Sequence, residues 1–158
     1  MSLDELRDRG LLKPHRTSRQ EIADLMSIVE VGLSDARAET ISLDRRFSAA
    51  YDAARSLATI VLAAGGYRTT GMGQHATTFE ATPSIMGDEV TPLSIFFDAC
   101  RTKRNVIEYR RAGQVTESEV LELIEMAEEF RGRLLAWLRE NYPGLVPESD
   151  QGAQSQCQ

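Results

Sequence analysis

Three features of the chain predict an all-α fold. Apolar residues recur at steps of three and four over several long stretches, and those stretches are bracketed by helix start and stop signals. No stretch alternates apolar and polar residues with period two over any length. The architecture expected is an up-and-down bundle of four principal helices, with short accessory helices at the N-terminus and after a glycine-rich loop.

Taken in order, residues 2–9 form a short helix ending at Gly10, followed by a connector, Lys13-Pro14-His15-Arg16, in which His15 is solvated. Ser18 and Glu21 fit a capping box for a helix over about 18–38, whose buried face carries Ile22, Leu25, Met26, Val29 and Leu33. Gly32 is its weak point. Ser42 caps a third helix with a wide face of Phe47, Ala50, Tyr51, Ala54, Leu57, Ala58, Val61 and Leu62, stopped by Gly65-Gly66. So many alanines admit close neighbours, which places this helix at the centre. The stretch from Gly65 to His75 is irregular; its glycines expose backbone amides ahead of a short helix over about 74–81, and the loop can bring Arg68 and His75 to the mouth of a cleft. Its spacing is not that of a P-loop, and the other reading is a plain connector. Pro83 and Gly87 break the chain, Thr91-Pro92 supplies an N-cap and first residue for a helix ending by Arg111, and Thr116 with Glu119 makes a second capping box. The last helix buries Val120, Leu123, Ile124, Ala127, Phe130, Leu134, Trp137 and Leu138 and closes at Pro143-Gly144.

The chain has 158 residues, 42% apolar and 27% charged, enough for one domain with a real core. We divide it into N-terminal helices packing on the bundle (1–41), a helical core (42–146) and a polar, disordered tail (147–158). A formal net charge of −6 excludes any global attraction to nucleic acid or acidic membranes, so a polyanion site has to be a local basic patch. The most apolar run, Leu57 to Ala64, is far too short to span a membrane. Two cysteines, Cys100 within an apolar stripe and Cys157 in the tail, make neither a metal spacing nor a disulfide framework, and point to the cytoplasm. No metal or cofactor is expected: His15 and His75 lie in separate loops and the carboxylates are spread over solvated faces.

The densest polar cluster is Arg101-Thr-Lys-Arg104-Asn105-Val-Ile-Glu108-Tyr109. Leu93, Phe96, Phe97, Cys100 and Ile107 set the buried stripe of this helix, and Arg104 falls on or beside it. Arg101, Asn105 and Tyr109 share one strip and Arg104 with Glu108 the next. Either Arg104 is held by an acidic residue of a neighbouring helix, or the cluster meets a phosphate.

Together with Tyr51-Asp-Ala-Ala-Arg55 and the loop running from Gly65-Gly-Tyr-Arg68 through Gly73-Gln-His75 to Phe79-Glu80-Ala, this cluster resembles the HEPN (higher eukaryotes and prokaryotes nucleotide-binding) family over roughly residues 42–138. The likeness is strongest to small single-domain bacterial members. It implies a bundle that dimerises, with the motif helices lining a shared cleft. In catalytic members an Arg followed by a polar residue precedes a His by four to six positions, and the pair supports metal-independent RNA cleavage. Arg104-Asn105 matches the first half, but Tyr109 stands where that pattern has His. A phenol near pKa 10 is a poor base at neutral pH, whereas an imidazole near 6.5 exchanges protons readily.

Three functions follow as expectations. In the first, a homodimer binds a nucleotide or RNA phosphate through Arg101, Arg104, Asn105 and Tyr109, with Glu108 and Arg68 beside them, without strong catalysis. In the second, a toxin-like ribonuclease uses His75 or Tyr109 as acid or base and Arg104 to stabilise developing charge. In the third, the chain is the interaction partner or modification target, at Tyr109, of a minimal nucleotidyltransferase.

Overall fold

The computed structural model describes residues 1–109 and 112–151, with the backbone alone for Tyr109. Within them the chain is all-α, organised around α3 (Leu43–Ala64), which touches α2 (Arg19–Arg37), α4 (Gln74–Met86), α5 (Thr91–Tyr109) and α6 (Glu117–Asn141). The cause is compositional. Buried Ala50, Ala53, Ala54 and Ala58 leave α3 thin enough for neighbours to approach on several sides.

One close approach is at Gly32 of α2. A Cβ there would lie 3.0 Å from the Ala49 carbonyl oxygen and 3.3 Å from the Ala53 Cβ, so the expected weak point is a contact that needs the missing side chain. The helix passes through it unbroken. Where the two antiparallel helices turn into one another, Arg46 is only 5% exposed and its Nε donates to the Ala36 carbonyl at 2.7 Å. That bond satisfies one of the carbonyls that every helix C-terminus leaves open.

A chain of rings joins the other helices. Tyr51 of α3 meets Phe79 of α4 edge-on at 6.0 Å, Phe79 meets Phe97 of α5 at 5.9 Å, and Phe97 meets Phe130 of α6 at 5.6 Å between centroids. The α2 side chains Ile22, Met26, Val29 and Leu33 enter this same core. Cys100 is buried in it as a small core residue, and burial pushes its thiol up to about 12. A smaller cluster of Leu6, Leu12, Leu62 and Ala81 seats α1 (Leu3–Asp8).

Several local expectations are corrected. Two strands exist, β1 (Leu12–Pro14) and β2 (Tyr67–Thr69), paired antiparallel with Lys13 opposite Arg68. At three residues each they are too short to leave a period-two pattern. The helix after the glycine loop runs to Met86, through Pro83, instead of ending at residue 81. Proline lacks the N–H that would have bonded the Phe79 carbonyl one turn back; the Ser94 hydroxyl of α5 donates to that carbonyl instead. Thr91 is no N-cap: a 3-10 turn, Asp88–Val90, leads straight into α5, and Thr91 itself has helical φ −54 and ψ −45.

At α2 only half of the capping box forms. Ser18 accepts from the Glu21 amide, but the Glu21 carboxylate turns to His15 Nε2 at 2.7 Å and to Thr17. His15 is therefore a half-buried partner and not a solvated loop residue, and its hydrogen bond holds the Glu21 carboxyl below its usual range. The Thr116 box forms completely. Val146, at the end of the expected core, is buried, and Glu148–Gln151 make a short helix, α7, inside the stretch 147–158 expected to be disordered; residues 152–158 lie outside the described residues. No helix is long and apolar enough to cross a membrane among the described residues.

Candidate functional site: a cationic cleft between the glycine loop and α5

The α4–α5 hairpin and the facing edge of α3 bring together residues from three places in the sequence. From α5 come Arg101, Arg104, Asn105 and Glu108; from α3, Tyr51, Asp52 and Arg55; from the start of α4, His75. They divide into two groups with different surroundings.

Arg104 belongs to the interior. Its side chain is 16% exposed, its Nη2 lies 3.5 Å from Asp52 Oδ1, and its Nε lies 2.9 Å from Glu108 Oε1. The guanidinium carbon also sits 5.4 Å from the centre of the Tyr51 ring, within cation–π range. Its charge is thus met by its own chain, as the plainer of the two expectations for this residue held. The geometry of that neutralisation is loose: Arg104 Nε and Asp52 Oδ1 are buried without a well-directed hydrogen bond, and the Tyr51 hydroxyl is buried without a partner among the described residues. Burial is the main reason the Tyr51 phenol is pushed up to about 12, against the pull of Arg55, Arg104 and Arg101.

Arg101 and Asn105, one turn apart, face the other way. With Gly71, Gly73, Gln74, His75 and Ala76 they line an open cleft of about 350 Å³ whose lining includes no carboxylate. Gly73 sits at the N-cap of α4 with φ 74, a left-handed conformation that glycine adopts without strain. No side chain caps this helix and its first turn holds no acidic residue, so the unpaired amides of the helix start and the positive end of its dipole are left to the cleft. Arg101 keeps one hydrogen bond to Asp98, at 2.8 Å from Nε, which raises its already high pKa and leaves the remaining donors of the fork available.

His75 is fixed by Arg55, whose Nη1 lies 2.6 Å from His75 Nε2. A guanidinium carries only donors, so Nε2 must be the acceptor, which puts the ring proton of the neutral imidazole on Nδ1. Burial first, then the charges of Arg55 and Arg104, lower the His75 pKa below its ordinary value. The residue enters the cleft as a neutral ring held against Arg55, whose Nη1 also lies 3.5 Å from His75 Nδ1. It is not a free general base, because the lone pair that would take a proton is already engaged.

The carboxylates lie behind this surface. Asp52 and Glu108, with Asp44 and Arg45, line a second cleft of about 510 Å³ on the opposite flank of Arg104. Glu108 is therefore a partner of Arg104 and not part of the cationic cleft. Arg68 is not brought to the cleft either; it is exposed on β2, opposite Lys13. The side chain of Tyr109 lies outside the described residues. Sequence reasoning passed over Asp52 and Arg55 as site residues, although two charged residues three apart in the alanine-rich middle of this helix were a usable signal. Among the described residues no three His, Cys, Asp or Glu side chains gather closely enough to hold a metal ion. No family model, curated protein or solved structure matches the chain.

Proposed function

We propose that the protein is a HEPN-like domain that binds the phosphate of a nucleotide or of RNA, and that the phosphate sits against Arg101, Asn105, His75 and the start of α4. The observation that carries this reading is the cleft itself. On a body of net charge −6, it collects a forked cation, an amide, an imidazole ring and uncapped helix amides, with no carboxylate in its lining. Arg104 supports this arrangement from within by anchoring α5 to α3 through Asp52. Binding without strong catalysis fits the engagement of His75 by Arg55 better than ribonuclease activity does. The resemblance to HEPN proteins extends the proposal to a cytoplasmic homodimer, and to a nucleotidyltransferase as a partner of the domain.

Calorimetric titration with a 5′-phosphorylated RNA tetranucleotide tests the reading. A charge-assisted hydrogen bond is worth about 1.5–3 kcal/mol, so Arg101→Ala should weaken binding by roughly 10- to 150-fold. The affinity of the unaltered protein should fall as salt rises. Equal affinities for the unaltered protein and Arg101→Ala, or no heat of binding at low salt, would remove the cleft from consideration.

A further inference from the structure

The cationic cleft does not end at Ala76. The same residue lines a second groove of about 350 Å³ that continues between α4 and α5, walled by Phe79, Pro83 and Ile95 with Asp98 at the junction. The Asp98 to Arg101 ion pair, at 2.8 Å, marks where the groove changes from apolar to cationic. Ile95 is 66% exposed there, a large aliphatic side chain on the rim with no covering neighbour among the described residues. Proline adds a flat apolar wall, and Ser94 uses its hydroxyl on the Phe79 carbonyl, so neither offers a competing polar group to the groove.

We infer that this groove is the base subsite of the phosphate cleft, so that the ligand is one nucleotide unit whose base carries an exocyclic amino group. The inference rests on the phosphate reading above and extends it. The centres of the two linings are about five residues apart along α4 and about eight or nine along α5, or roughly 7 and 13 Å at the rise of a helix, a span within the reach of one nucleotide from its phosphate to the far edge of its base. A base is flat and apolar on its faces, which suits Phe79, Pro83 and Ile95, and polar at its edge. At that edge the groove presents carboxylate oxygens. Glu80 lies on the rim and gives only Oε1, to the Met1 amine, so Oε2 has no partner among the described residues, while Asp98 stays at the junction with its Oδ1 on Arg101. Carboxylates accept and do not donate, so they select an amine over a carbonyl at the base edge.

Titrations of the full chain with ribose 5-phosphate, AMP and UMP separate the two subsites. AMP should bind at least tenfold more tightly than ribose 5-phosphate, with UMP, which lacks the amine, weaker than AMP. Ile95→Asp, a change at an exposed position that the fold tolerates, should bring the ratio of AMP to ribose 5-phosphate affinity close to one. Equal affinity for AMP and ribose 5-phosphate would overturn the base subsite and leave the phosphate cleft standing, and equal affinity for AMP and UMP would overturn the choice of base. If none of the three binds, the phosphate reading has failed and this inference with it. A dimer that Ile95→Asp converts to monomer would show the groove to be covered by a second copy, which also overturns it.

Discussion

Neutralising Arg104 and neutralising Arg101 should separate stability from binding, although the two residues are three positions apart on one helix. Arg104→Met keeps most of the aliphatic stem but loses the Glu108 contact at 2.9 Å, the Asp52 contact at 3.5 Å and the face of Tyr51 at 5.4 Å. Both carboxylates are about a third exposed, so each ion pair is worth about 0.5–1 kcal/mol after solvent screening, and the cation–π contact adds about 0.5–1 kcal/mol. The sum is about 1.5–3 kcal/mol, which for a chain of this length lowers Tm by about 4–9 °C. Arg101→Met loses one ion pair to Asp98, whose side chain is 45% exposed, and should cost about 0.5 kcal/mol or less. Its effect belongs in the titration, as a drop of tenfold or more in phosphate affinity. Thermal denaturation followed by circular dichroism, paired with calorimetry on each folded variant at a temperature well below both transitions, reads the two effects separately. The division of labour is refuted if Arg104→Met leaves Tm unchanged and abolishes binding, or if Arg101→Met binds as well as the parent.

Three further outcomes are expected. His75 has a folded pKa below its unfolded value near 6.5, so the unfolded chain takes up the proton first and stability is lost as pH falls below about 6.5; the stability difference between pH 7.5 and pH 5.5 from urea titrations should shrink in His75→Gln, and an unchanged difference would contradict the assignment. Ser94→Ala should cost about 1–3 kcal/mol in urea unfolding, because it strands the Phe79 carbonyl that Pro83 cannot serve; Pro83→Ala combined with it should recover most of that loss, since alanine restores the amide donor. At Gly32 the added Cβ meets the Ala49 carbonyl at 3.0 Å, so Gly32→Val should destabilise by about 2 kcal/mol or more despite the poor helix propensity of glycine, and a stabilised Val variant would show that α2 and α3 are not in close contact there.

What could be read from the sequence and what could not follows the range of the interactions involved. The Thr116 box, the Ser42 cap and the stop at Gly65 are settled within a few residues, and each forms where the residues say it should. Pro83 misled because its accommodation depends on Ser94, a side chain from another helix, and the short strands misled because each exists only through its partner. The site divides in the same way. That Arg104 lies on the buried stripe is a local fact, and a buried charge needs a partner. Which residue meets it depends on how α3 packs on α5, and no periodicity within α5 contains that. Periodicity also could not separate Arg101 from Arg104. At 100° per residue, three residues leave them about 60° apart around the helix axis, both on the edge of the apolar face. Whether an edge residue turns inward or outward is decided by what stands opposite. Asp52 and the ring of Tyr51 stand opposite Arg104, and the glycine loop, with nothing acidic in its lining, stands opposite Arg101. The loop leaves that room because Gly71 and Gly73 take positive φ and carry no side chains, so the residues that decide the chemistry of the cleft include two that contribute no functional group to it.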